Sequence, residues 1–211
     1  MAGLAYLKDP NAIYERSFET ILHETDLSGL PERIQPVALR MIHACGMPDI
    51  VGDLLFDPNV ADTAGTALAQ GATVLADCEA VRSAISRASL PAGNEVLCTL
   101  NDPQTAELAK RLETTRSAAA VSLWGKKLAD SVVVIGNAPT ALFALLELLD
   151  DGAAAPAAII ATPVGFVGAA ESKDELARNP RGVPFLTLAG RRGGSAIAAA
   201  ALNAIAMATN R

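Results

Sequence analysis

The chain carries two histidines, and one of them, His43 in Arg40-Met41-Ile42-His43-Ala44-Cys45-Gly46, is placed where a proton donor could work. Ile34, Val37, Ala38, Met41, Ile42 and Cys45 recur at the i, i+3, i+4 spacing of a helix that faces a core. At about 100° per residue, His43 projects roughly 170° from the middle of that stripe, toward solvent, a cleft or a partner chain. Gly46 suits the C′ position, so His43 falls in the last turn, where the negative end of the helix dipole favours an imidazolium. A histidine that shares its proton near neutrality suits general acid work; a histidine that only complements a helix end would look the same. Cys45 lies two residues on and faces another side of the helix, so the two cannot form a nucleophile–base pair. His23 falls opposite Tyr14 on the preceding helix and reads as solvated. On that same helix Ser17 lies beside Tyr14 and Ile21, where its hydroxyl could pack inertly or meet a ligand.

Further polar groups gather in loops that follow apolar runs of strand length. One run ends in Gly136-Asn137-Ala138-Pro139-Thr140, a second in Thr162-Pro163-Val164-Gly165-Phe166-Val167-Gly168-Ala169-Ala170-Glu171-Ser172-Lys173, and a third in Gly190-Arg191-Arg192-Gly193-Gly194-Ser195. Each leads into a helix, and free N–H groups at a helix start with a cation nearby form an anion site. Ligands of open parallel sheets bind at such carboxyl ends. Asn137 and Lys173 are therefore candidate binding residues, while Arg191 and Arg192 read first as solvated charges. The nucleotide fingerprints are absent: no strand is followed by Gly-x-Gly-x-x-Gly, and neither the P-loop nor Gly-x-Ser-x-Gly occurs.

The elements that must carry these residues follow from the same pattern. Candidate strands are 72–76, 95–100, 131–136, 157–162 and 184–189, continuous apolar runs suited to burial on both faces. Helical patterns lie between them at 78–87, 102–128 with a break near Thr114-Thr115, 139–150 and 167–177, and a last one spans about 194–208. That alternation predicts a three-layer α/β/α fold with an open, mainly parallel sheet of about five strands. Residues 1–70 read as mostly helical and 71–211 as alternating β/α, within one domain. Asp9-Pro10, Asp57-Pro58 and Asp102-Pro103 each read as an N-cap followed by proline at N1. Hydrophobic residues make up 51 % with aromatics at 4 %, so Ala, Val, Leu and Ile must fill the core. A net charge of −6 and the lack of any Lys/Arg run argue against nucleic acid. No apolar stretch reaches the ~18 residues of a membrane span, and the N-terminus lacks signal-peptide order. Cys45, Cys78 and Cys98 lie far apart, read as buried thiols of a cytoplasmic protein and suggest no zinc site.

Several long segments together resemble the precorrin-8X methylmutase family of cobalamin biosynthesis. They are Asn11-Ala12-Ile13-Tyr14-Glu15-Arg16-Ser17-Phe18, Met41-Ile42-His43-Ala44-Cys45-Gly46, Leu90-Pro91-Ala92-Gly93-Asn94-Glu95-Val96 and Thr115-Arg116-Ser117-Ala118-Ala119. Ile135-Gly136-Asn137-Ala138-Pro139-Thr140-Ala141-Leu142 and the stretch from Pro163 to Lys173 extend the likeness over nearly the whole chain. The resemblance implies an isomerase that moves a methyl group between adjacent carbons on the third ring of precorrin-8X, giving hydrogenobyrinic acid without metal or organic cofactor. It implies that His43 is the proton donor and acceptor, and that Ser17 and Arg116 touch the substrate.

A substrate with many carboxylates on a protein of net charge −6 requires local cations. Arg40 lies three residues before His43 on the same side of its helix, which adds it to Arg116 and Lys173 as a candidate carboxylate partner. The His43 face also carries Pro36 and Leu39, and the first helix offers Tyr14, Phe18 and Ile21 around Ser17. Apolar surface beyond one stripe on both helices predicts a homodimer whose interface includes the N-terminal third. Two other readings compete: a non-catalytic tetrapyrrole carrier with the same pocket but no need for His43, and a nucleotide-binding oxidoreductase, which the missing fingerprints disfavour.

Overall fold

Six strands form one sheet in the order β1-β6-β5-β4-β2-β3. They are β1 (Leu54–Phe56), β2 (Val74–Ala76), β3 (Val96–Cys98), β4 (Val132–Ile135), β5 (Ala158–Ala161) and β6 (Phe185–Leu188) in this computed structural model, which describes residues 4–210. The expected domain limits at 1 and 211 lie outside the described residues. Strands β2 to β6 pair in parallel, and every residue of β2, β4, β5 and β6 is buried, as continuous apolar runs between two helical layers require. Each is two or three residues shorter than its apolar run. The sixth strand, β1, was not expected in the helical N-terminal third. It is three residues long and antiparallel to β6, with Leu54 opposite Leu188. An edge strand this short leaves no period for a sequence to display.

Helices α2 (Gln35–Cys45), α3 (Val60–Ala69), α4 (Glu79–Ala84) and α9 (Ser195–Thr209) cover one face of the sheet. Helices α6 (Arg116–Ser122), α7 (Pro139–Asp150) and α8 (Ala169–Arg178) cover the other, with α5 (Thr105–Arg111) packed on α6. Helix α1 (Pro10–Glu24) lies outside, on α2. The pattern expected over 102–128 divides at Thr114-Thr115 into α5 and α6, followed by a 3-10 turn at Gly125–Leu128. Asp9 caps α1 as expected, accepting from the Ala12 N–H at 2.8 Å. Asp57 and Asp102 do not cap helices. Each accepts an N–H two residues on, at Asn59 and Gln104, so the aspartate closes a turn and the α-helix starts later, at Val60 and Thr105.

The connections place the sheet's crossover between β2 and β4. From β2 the chain moves outward to β3, returns to β4, and then proceeds the other way through β5 and β6. The carboxyl ends of β2 and β4 thus flank the switch point where open α/β sheets bind ligands. Because β1 runs against β6, the 3-10 turn at Pro48–Asp53 that precedes it stands at this same carboxyl edge, where Asp53 accepts the Ala189 N–H at 2.7 Å. The end of α2 is joined to that turn through Gly46 and Met47.

Candidate active site

The α2 stripe packs as its spacing demands: Val37, Ala38, Met41 and Ile42 are buried. Gly46 ends the helix in the left-handed region at φ 67°, which L side chains avoid, and places His43 in the last turn. His43 does project away from the core, but α1 covers it and leaves it half-buried. Tyr14, Ser17, Phe18 and Ile21 recur at i, i+3, i+4 and i+7 on α1, and the first three meet the imidazole. Ser17 Oγ lies 2.7 Å from His43 Nδ1, the Tyr14 ring stacks on it with centroids 5.0 Å apart, and the Phe18 ring meets it edge-on at 5.4 Å. Arg40 holds its guanidinium over Phe18, 5.5 Å from the ring centre. Ser17, Arg40 and His43, expected as candidates from separate arguments, therefore form one cluster, in which the Ser17 hydroxyl is bonded to the imidazole.

An open cavity of about 400 Å³ adjoins the cluster, lined among others by Leu7, Arg16, Ser17, Ile42, His43 and Pro48. That is near the low end of the ~300–1,000 Å³ typical of small-molecule sites, so a macrocycle with carboxylate arms would extend beyond it. With Nδ1 engaged by Ser17, the other ring nitrogen, Nε2, remains to exchange a proton with a ligand. Cys45 adds no nucleophile, because burial raises its thiol above the usual range. Among the described residues no group of three or more His, Cys, Asp or Glu could hold a metal ion.

The other candidates lie elsewhere on the carboxyl edge, in two further groups. At the switch point, the buried Asp77 carboxylate, directly after β2, accepts the backbone N–H groups of Gly136, Asn137 and Ala138 at 2.9–3.0 Å. Asp77 is a site residue that no motif in the sequence marks. A lone carboxylate at the carboxyl end of a buried strand was the available signal, but its partners come 59 to 61 residues later. The expectation of an open anion site in this loop is corrected: Asp77 already occupies its N–H groups. Burial pushes the Asp77 carboxyl above its ordinary range, opposed by those three donors. Gly136 is fixed by close approach, since a Cβ there would lie 2.7 Å from the Ser195 Cα. Asn137 keeps its side chain exposed. Nearby, Thr115 caps α6 through Ala118 and bonds Thr140 at 2.8 Å, while exposed Arg116 donates to the Leu100 carbonyl at 3.0 Å and to Asn101 Oδ1 at 3.1 Å.

The third group departs most from expectation. Lys173 was expected on a strand-end loop as a partner for a substrate carboxylate, yet it lies in α8 with no exposed surface and donates to the Arg192 carbonyl at 2.6 Å. Arg192 was read as a solvated charge, yet its guanidinium forks onto Asp53 and Asp49. Arg191 is exposed and stands 5.5 Å over the ring of Phe166. No hydrogen bond or ring contact among the described residues joins Arg116, Asn137 or Lys173 directly to His43.

Residues 12–208 match the family described as precorrin-8X methylmutase. A curated precorrin-8X methylmutase from a Sinorhizobium species is 57 % identical over 201 residues, covering 95 % of this chain and 96 % of that protein. A cobalt-precorrin-8 methylmutase from Priestia megaterium is 37 % identical, covering 94 % of this chain and 88 % of the relative. The crystal structure titled as a precorrin-8X methylmutase from Thermus thermophilus superposes with a TM-score of 0.85 at 34 % identity, covering 95 % of this chain and 96 % of the other.

Proposed function

This chain belongs to the precorrin-8X methylmutase family, and from that premise we propose how it carries out the isomerisation of precorrin-8X to hydrogenobyrinic acid. The single observation that carries the reading is the 2.7 Å contact between Ser17 Oγ and His43 Nδ1 beside an open cavity. The Ser17 hydroxyl holds Nδ1 and sets the ring plane, and Tyr14 and Phe18 fix that plane from two directions. His43 then offers Nε2 to a nitrogen of the substrate macrocycle. Protonating that nitrogen draws electron density from the neighbouring conjugated system and lowers the barrier to methyl migration. One carbon–carbon bond to the methyl group breaks as the bond to the adjacent ring carbon forms, and the proton returns to His43. Atoms and electrons balance within the substrate, so the step calls for no oxidant and no co-reactant. Proton transfer of this kind contributes about 10²–10⁴-fold.

Arg40 reaches toward the same cluster and serves a peripheral carboxylate. Arg116 and Asn137 serve more distant arms of the macrocycle at the switch point. The site is completed in a homodimer, which seats the exposed Ile13, Tyr14 and Leu22 of α1 and the preceding Leu4, Tyr6 and Leu7 against the second copy. Among the described residues no helix is long and apolar enough to cross a membrane. We also place the enzyme in the cytoplasm, as one domain. The more similar of the two relatives is named for the metal-free substrate, which supports precorrin-8X over its cobalt complex. Incubation with precorrin-8X tests the reading: the enzyme converts the absorption spectrum to that of hydrogenobyrinic acid, whereas a carrier binds and leaves the chromophore unchanged.

A further inference from the structure

Lysines are almost never fully buried without a partner, and Lys173 is fully buried on α8. Its ammonium gives one proton to the Arg192 carbonyl at 2.6 Å, in the loop between β6 and α9. Arg192 turns its guanidinium the other way, onto Asp53 at 3.1 Å and 2.5 Å through Nε and Nη2, and onto Asp49 through Nη1. Asp49 and Asp53 both belong to the 3-10 turn that follows the His43 helix. Pro48 of that turn, and Gly46 just before it, line the same cavity as Ser17 and His43. A continuous set of contacts thus runs from a buried cation on the far helical layer to one wall of the cavity.

We propose that Lys173 is a positioning residue, holding the Gly46–Pro48 wall of the His43 cavity in place through Arg192 and the Asp49–Asp53 turn. It has no surface from which to touch substrate, and its effect must pass through the backbone of the loop it binds. The charges facing it explain why a cation is used. Asp174 on its own helix and Asp53 on the turn both favour its protonated form, and Asp49 joins Asp53 on Arg192. With Lys173 charged, two cations oppose three carboxylates and its bond to the Arg192 carbonyl is charge-assisted; without its proton the balance tips toward the carboxylates and that bond weakens, which loosens the Arg192 loop. Burial lowers the Lys173 pKa to about 8, so this balance changes just above neutrality.

The inference rests on the His43 cavity being the methylmutase site, and two readouts separate the two claims. Amide hydrogen exchange over residues 46–53 requires no substrate. Lys173→Met, and independently the part-exposed Asp53→Asn, are expected to raise exchange there by about tenfold while α1 and residues 35–42 stay unchanged. In turnover of precorrin-8X both variants are expected to raise KM about fivefold with kcat within about threefold, since neither removes a proton-transferring group. The wild-type KM rises between about pH 7 and 9 as Lys173 loses its proton, and this rise disappears in Lys173→Met. Unchanged exchange over 46–53 in Asp53→Asn, or an unchanged KM profile in folded Lys173→Met, overturns the proposal. Altered exchange in a protein that never converts precorrin-8X upholds the tether and overturns the catalytic reading.

Discussion

At the helical end of the carboxyl edge, His43 spends one ring nitrogen on Ser17 and stands half-buried beside an open cavity. At the switch point, the Asp77 carboxylate takes three backbone N–H groups and is itself almost wholly buried. In a nucleotide-binding relative of this topology the second place would receive the phosphate; here a side chain of the protein fills it. One polar cluster is therefore left incomplete and aimed outward, and the other is closed. In the proposed mechanism the first carries the chemistry and the second the shape, so substitutions in the two should damage different observables.

The largest effect is expected at His43. His43→Ala should keep the fold, because the side chain lies outside the α2 core stripe, and should lose at least about a hundredfold in turnover while still binding product. Rates within about tenfold of wild type would remove the histidine from the general-acid role. Asp77→Ala reverses the pattern. Three backbone donors, two of them buried, lose their acceptor at about 1–3 kcal/mol for each buried one, so chemical denaturation should show a loss of ~3 kcal/mol or more. Turnover per folded molecule should fall far less than in His43→Ala. A stable Asp77→Ala protein would mean that the switch-point loop does not depend on its internal anion. The smallest effect separates exposed cations. Arg116→Ala should weaken product affinity by ~1.5–3 kcal/mol, the range for a charge-assisted contact, and Arg191→Ala by less. Absorbance titration with hydrogenobyrinic acid measures both, and an equal or reversed ranking contradicts the placement of Arg116 on the substrate.

The same contrast explains what the sequence could disclose. Strands β2 to β6 were legible because burial on both faces demands unbroken apolar runs. β1 was not, since its pairing with β6 is made 130 or more residues away. The outward direction of His43 followed from helical geometry alone, but its cover did not, because Ser17 lies 26 residues earlier on another helix. Lys173 and Asp77 ran against the usual surface preference of charged residues, and only their distant backbone partners reveal why they are buried. Local chemistry was readable; closure by remote contacts was not.

The central claim is that His43, held by Ser17, presents its Nε2 to the bound macrocycle. Nitrogen-15 NMR of the imidazole rings measures this directly, because the chain holds only one other histidine, exposed His23, and a His23→Gln variant identifies its signals. In the free protein the Nδ1 signal of His43 should report a hydrogen bond that Ser17→Ala abolishes. Titration with hydrogenobyrinic acid should then move the Nε2 signal of His43 and leave His23 unmoved. Ring signals of His43 that stay unchanged at saturating product would contradict the account.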